Sequence, residues 1–204
     1  MPSKIEMLNL LQQKVTGCQL CPILCKSRKT TVFGEGNPDT EVFFIGEAPG
    51  AEENRTGRPF VGPAGQLLRN FIKACGWAPE DVYIANIIKC QPPQNRTPSK
   101  EEAANCRLIL DLQIRIINPS YIVCLGATAA QSILGVDTPI GQLRGRFYEY
   151  NDRKVVCTYH PSFIIRMDDK AQQKETKRKI WQDIRPILVE LGKCADFTTT
   201  PAVV

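Results

Sequence analysis

Two groups of residues in this 204-residue chain carry possible chemistry, a set of nine cysteines and a single histidine. Cys18 and Cys21 form a C-x-x-C, Cys25 follows, and Cys90 and Cys106 bracket the proline-rich loop 91–99. A C-x-x-C brings two thiolates to one metal centre, which needs two more to complete it. Zinc and an iron–sulfur cluster satisfy that chemistry equally well. Four thiolates suffice for either, so Cys25 is the least expected ligand of the five. Cys124 and Cys157 sit in apolar runs, Cys75 ends a helical pattern and Cys194 lies near the C-terminus. These four read as structural thiols, a common use of free cysteine.

His160 stands in Tyr159-His160-Pro161-Ser162. A lone histidine is more often structural than catalytic, so its meaning depends on the elements that place it. Four apolar, β-branched or aromatic runs read as buried strands: Glu41–Ile45, Val82–Ala85, Tyr121–Leu125 and Lys154–Thr158. Between them lie helical patterns. Ala64–Ala74 sets Leu67, Leu68, Phe71 and Ile72 on one side, and Ser99 with Glu102 opens another as a capping box. A short helix follows Gly126, and a long one spans Lys170–Leu191; Leu143–Tyr150 offers a possible further strand. The pattern predicts an α/β fold: a single three-layer domain with a central, mostly parallel four-stranded sheet flanked by helices. That domain covers 1–191. Residues 192–204 show no periodicity and are expected to be a disordered tail.

In open α/β sheets, ligands gather outside the carboxyl ends of the strands. Those ends are Gly46-Glu47-Ala48-Pro49-Gly50, Asn86, Gly126-Ala127-Thr128 and Tyr159-His160-Pro161-Ser162. Glu47, Asn86 and His160 are therefore expected in one site. The net charge of +5 suits a solvated surface as well as a nucleic-acid partner. No run reaches the roughly 20 apolar residues of a membrane span, and the N-terminus reads as a helix and not a signal peptide. A cytoplasmic location is expected, and there clustered cysteines are better metal ligands than disulfides.

The runs Gly46–Glu53, Gly57–Gly62 and Ala64-Gly65 closely resemble the family 4 uracil-DNA glycosylases. So do Tyr83–Asn86 leading into Lys89-Cys90, the loop Pro92–Pro98, and His160-Pro161-Ser162. The match is ordered and covers about Cys18 to Arg166. It implies a 4Fe-4S cluster on Cys18, Cys21, Cys90 and Cys106, chiefly as a structural staple. It also implies hydrolysis of the N-glycosidic bond of uracil in DNA by a monomeric enzyme.

The resemblance assigns roles residue by residue. Gly46, Glu47, Ala48, Phe60, Asn86 and His160 form the uracil site, with Phe60 stacking on the ring. Asn86 pairs with the uracil edge, because an amide both donates and accepts. His160 reaches uracil O2 and stabilises the departing anion, as an oxyanion hole does. Family 1 relatives carry an aspartate and a tyrosine where this turn has Ala48 and Gly50. Glu47 is then the nearest candidate for positioning water. Phe163, Ile164 and Ile165 are expected as the wedge replacing the flipped base, with Arg166 on a phosphate. Lys170, Lys174, Lys177 and Arg178 share a helix face that suits either DNA or solvent.

Two other readings fit less well. A covalent uracil-DNA trapping protein needs a histidine in the loop 90–106, which has none. A metal-dependent binding module leaves Glu47, Asn86 and His160 unexplained. No glycine-rich nucleotide-binding loop is present.

Overall fold

The computed structural model describes residues 2–193. Its six strands are β1 (Glu35–Gly36), β2 (Val42–Gly46), β3 (Tyr83–Asn86), β4 (Tyr121–Leu125), β5 (Phe147–Tyr150) and β6 (Arg153–Thr158). They form one sheet in the order β1-β3-β2-β4-β6-β5. The four expected strands are its parallel centre; β1 pairs antiparallel with β3 and β5 antiparallel with β6. The sheet thus has six strands and not four. The two-residue β1 is too short to leave a pattern, and β5 is half-exposed, without the apolar run of a buried strand. The possible further strand at Leu143–Tyr150 is present as β5 over Phe147–Tyr150; only Leu143, the first residue of that run, belongs instead to the short helix Ile140–Leu143.

The helices are α1 (Lys4–Thr16), α2 (Pro22–Ser27), α3 (Ala51–Thr56), α4 (Pro63–Ala74), α5 (Lys100–Ile117), α6 (Ala127–Leu134), α7 (Ile140–Leu143), α8 (Pro161–Ile165) and α9 (Lys170–Glu190). The capping box that opens α5 is present: Glu102 N–H donates to Ser99 Oγ at 3.1 Å, and Ser99 N–H donates to Glu102 at 2.8 Å. Asn118 then ends the helix in the left-handed region, one residue before Pro119.

Alternation along β2 shows how the layers form. Phe43 and Ile45 join α1, α5 and α6 in one apolar cluster, whereas Val42 and Phe44 join α4, α8 and α9 in another. All four side chains are at most 2% exposed, so the strand needs an apolar residue at every position. Gly46 and Asn86 face one another at the carboxyl end of the parallel pair β2–β3. Gly192 and Lys193, the start of the expected tail, close α9 through a Lys193 N–H to Leu188 O bond of 2.8 Å. The rest of that segment, Cys194 included, lies outside the described residues. Among the described residues, no helix is long and apolar enough to cross a membrane.

Candidate active site

The carboxyl ends of β2, β3, β4 and β6 open onto one cleft of about 670 Å³. Glu47, Ala48, Phe60, Asn86, His160, Phe163 and Arg166 all line it. Gly46 lies behind the lining. A Cβ there would come within 2.5 Å of both Asn86 Oδ1 and the Phe60 ring, so the bare backbone lets those two groups close up. A second crevice, apolar and of about 20 Å³, sits under α8 and holds no more than a water.

Phe60 is held in a costly conformation. Its φ is 51°, in the left-handed region, and its side chain is 5% exposed. For a bulky residue this costs on the order of 1–3 kcal/mol and persists only where the surroundings over-determine it. They do. A Cβ on Gly65 of α4 would fall 2.0 Å from the Phe60 carbonyl, so helix and turn are in direct backbone contact. Arg69 donates to Phe60 O at 3.1 Å and to Glu35 at 2.5 Å. Glu53 Oε1 accepts from Val61 N–H and Gly62 N–H, both at 2.8 Å, while its Oε2 accepts from Gly50 N–H at 3.1 Å. Glu53 thereby ties the glycine turn after β2 to the turn carrying Phe60. Sequence reasoning passed over it. Its place three residues beyond Gly50, at the third position of α3, was the available signal.

Asn86 is 2% exposed, and its Oδ1 has no hydrogen-bond partner among the described residues. A buried acceptor without a donor is costly unless a ligand supplies one. The peptide leaving Asn86 is fixed on both sides. Ile87 N–H donates to Gly46 O at 2.9 Å, and Lys89 Nζ donates to Asn86 O at 2.7 Å. Lys89 is 1% exposed and does not line the cleft. Burial pushes its amine down to about 7, against the pull of Cys106.

His160 caps α8 and is partly buried. Ser162 N–H donates to its Nδ1 at 3.1 Å, with Ser162 Oγ 2.7 Å away. Burial, helped by the nearby Arg166 charge, pushes the imidazole down to about 4, although Glu53 pulls the other way. The ring is therefore neutral at physiological pH. Its centroid lies 6.0 Å from that of Phe60. Glu47 accepts a hydrogen bond from the Thr128 hydroxyl at the start of α6.

Of the expected wedge, Phe163 and Ile165 are 42% and 47% exposed, but Ile164 is 3% exposed and packs against α4 and α9. One turn of helix can present only part of a three-residue run, so Ile164 belongs to the core. Tyr159 stacks on Phe163 at 5.3 Å and carries Arg144 on its ring at 5.2 Å. On α9, Lys170 and Lys174 are exposed, whereas Arg178 is paired with Glu175 at 2.9 Å.

The cysteines converge at the other end of the Asn86–Cys90 segment. Arg28 donates to Cys90 Sγ at 3.1 Å and to Cys18 O at 2.6 Å; Asn105 Nδ2 donates to Cys21 Sγ at 3.5 Å. Burial raises the Cys90 thiol, as do its neighbours Cys25 and Cys18. Burial pushes Cys106 up to about 11, against the pull of Lys89 and with Cys90 and Cys21 adding to the rise. Among the described residues no three such side chains close on a point as ligands of one ion must. The donors gathered here are cysteine sulfurs, the chemistry that a zinc ion or an iron–sulfur cluster would use. Cys25 lies beside the group, its Sγ 3.4 Å from Cys18 O.

The family model of the uracil DNA glycosylase superfamily matches residues 33–185, three quarters of the chain. The chain is similar to the type-4 uracil-DNA glycosylase of Thermotoga maritima, 44% identical over 186 residues, covering 90% of this chain and 94% of the relative. The type-4 enzyme of Archaeoglobus fulgidus is 38% identical over 183 residues, 86% of this chain and 92% of that one. That of Pyrobaculum aerophilum is 40% identical over 167 residues, 78% and 85% of the two chains. The chain belongs to the uracil-DNA glycosylase superfamily, among its type-4 members.

Proposed function

We infer that this chain is a monofunctional DNA glycosylase that hydrolyses the N-glycosidic bond of uracil and leaves an abasic site for base excision repair. The observation that carries the reading is the unpartnered Oδ1 of buried Asn86, set beside Phe60 in a cleft with His160. A base must leave the stack to be reached, and the cleft has room for a nucleotide flipped into it. Uracil N3–H supplies the donor that Oδ1 lacks, while the amide N–H serves a uracil oxygen. Cytosine has no hydrogen at N3 and presents an amino group, so the same amide rejects it. Phe60 forms the flat wall.

Cleavage leaves negative charge on the base and positive charge on the sugar. With Nδ1 occupied by the Ser162 N–H, His160 carries its proton on Nε2 and offers it to uracil O2. Such a preorganised donor is worth roughly 3–4 kcal/mol in the transition state. We assign Glu47, oriented by Thr128, to positioning the attacking water. Phe163 fills the gap left in the duplex, and Arg166 meets a phosphate.

A 4Fe-4S cluster on Cys18, Cys21, Cys90 and Cys106 would act as a covalent staple joining the segment after α1 to β3 and α5. The catalytic domain is one unit over 1–191, acting as a monomer. A reducing, cytoplasmic compartment suits thiols that must bind metal. Iron-loaded protein incubated with a labelled uracil-containing oligonucleotide should release free uracil and create sites cleaved by alkali. Absence of release would end this reading.

A further inference from the structure

Lys89 carries a fully buried amine that neither the expected catalytic set nor the cysteine set uses. Burying an ammonium is expensive, and such groups are kept only where charge or hydrogen bonds compensate them. Two compensations are present. On one side Nζ donates to Asn86 O at 2.7 Å. On the other, the charge is drawn to Cys106, whose sulfur also accepts the Lys89 backbone N–H. Cys90 is the next residue in the chain. The side chain doubles back three residues, so one lysine touches both the segment that carries the thiolates and the residue that faces the cleft.

The geometry at Asn86 gives this contact a consequence. A side-chain amide reads a base edge only if its Cα–Cβ bond points correctly, and that direction follows the two peptides flanking Cα. The peptide after Asn86 has its N–H on Gly46 O and its C=O on Lys89 Nζ. Remove the lysine and that carbonyl, buried and away from water, keeps no strong donor, leaving the peptide free to tilt.

We propose that Lys89 is a positioning residue, its buried Nζ donating to the Asn86 carbonyl so that the amide facing uracil is held in register. This rests on the reading of Asn86 as the edge reader. It adds a physical link between the cysteine group and base recognition.

The test is a double-mutant cycle on the iron-loaded protein, with free uracil as the probe and its dissociation constant measured by calorimetry. Asn86→Ala alone should weaken uracil binding at least tenfold; if it does not, the edge-reader reading fails and the proposal with it. Lys89→Met, with iron content and thermal midpoint near those of the parent, should also weaken binding about tenfold. In the Asn86→Ala background the same change should cost less than twofold, because Lys89 acts through Asn86. Lys89→Arg, which keeps a cation and its donors, should recover part of the loss. Should Lys89→Met not fold, Lys89→Ala, smaller and without a donor, enters the same cycle. Native uracil binding by folded Lys89→Met or Lys89→Ala, or an equal loss in both backgrounds, overturns the proposal and leaves the reading of Asn86 intact.

Discussion

The backbone N–H of Ser162 donates to Nδ1 of His160 across 3.1 Å. An N–H can only donate, so in this arrangement the imidazole proton sits on Nε2. Burial and Arg166 push the group from its ordinary 6.5 down to about 4. Above pH 6.5 the folded and unfolded chains both carry neutral imidazole. As pH falls below that, the unfolded chain takes up a proton that the folded chain refuses. The stability linked to His160 is therefore intact above 6.5 and lost progressively between 6.5 and about 4. With one histidine in the chain, NMR of histidine-labelled protein gives one imidazole. It should show the Nε2–H tautomer and titrate near 4; a midpoint near 6.5 refutes this description.

Asn86→Asp tests the readout from the other direction. The carboxylate keeps an acceptor at the cleft but gives up the donor, so uracil excision should fall by tenfold or more. Cytosine, whose amino group a carboxylate can accept, should become a detectable substrate. Uracil excision by Asn86→Ala at the parent rate would show that the orphaned Oδ1 is not used.

The parallel strands were legible because strands covered on both faces must be apolar at every position, as Val42 to Ile45 are. The candidate site was legible in outline for a related reason: Glu47, Asn86 and His160 lie at or just past the carboxyl ends of strands that converge on one cleft. Of the edges, β5 was legible only as a possible strand within Leu143–Tyr150, and the two-residue β1 not at all, since neither is buried enough to constrain composition. Strand ends also shifted by one, placing Asn86 inside β3 and not after it. Glu53 and Lys89 escaped notice because a charged residue type says exposed. Only the three-dimensional setting reveals the three N–H groups around one and the carbonyl and thiolates around the other. The strained backbone of Phe60 has no sequence signature, because its support comes from Gly65, Arg69 and Glu53.

Glu53 makes a separate prediction. Glu53→Ala strands the N–H groups of Gly50, Val61 and Gly62, and each buried orphan costs about 1–3 kcal/mol. The variant should lose about 3 kcal/mol of stability by denaturant titration, and water entering the gap should keep the loss from reaching the full sum. Excision should fall with it, because Phe60 loses the turn that holds it. Glu53→Gln, which still accepts through one oxygen, should fall between the two. A loss under 0.5 kcal/mol would mean that these hydrogen bonds do not hold the turn.

The cysteines divide by position. Protein purified without oxygen should be brown, with broad visible absorbance and near-stoichiometric iron and sulfide. Cys90→Ala and Cys106→Ala should lose iron and melt at lower temperature, whereas Cys25→Ala should keep both iron and midpoint. Colourless protein containing one zinc would rule out the cluster. Iron lost from Cys25→Ala would move that residue into the ligand set.

The mechanism assigns the nucleophile to water, and the structure sharpens what that requires. A glycosylase that also nicks the strand forms a Schiff base through an amine in its site. None of the residues lining the cleft is a lysine. The amine closest to the readout, that of Lys89, has the lowered pKa of a reactive lysine, but it lies behind Asn86 and is spent on that residue's carbonyl. The product should therefore be free uracil and an intact strand with an abasic site. Borohydride should trap no protein–DNA adduct, and strand breaks should appear only after alkali or heat. His160→Ala should slow the chemical step by about 10²–10³ in single-turnover measurements while weakening DNA binding far less, because the charge it meets develops only in the transition state. A borohydride adduct lost in Lys89→Met would make that lysine a nucleophile and overturn hydrolysis by water; an adduct that survives the change would point to an amine outside the cleft.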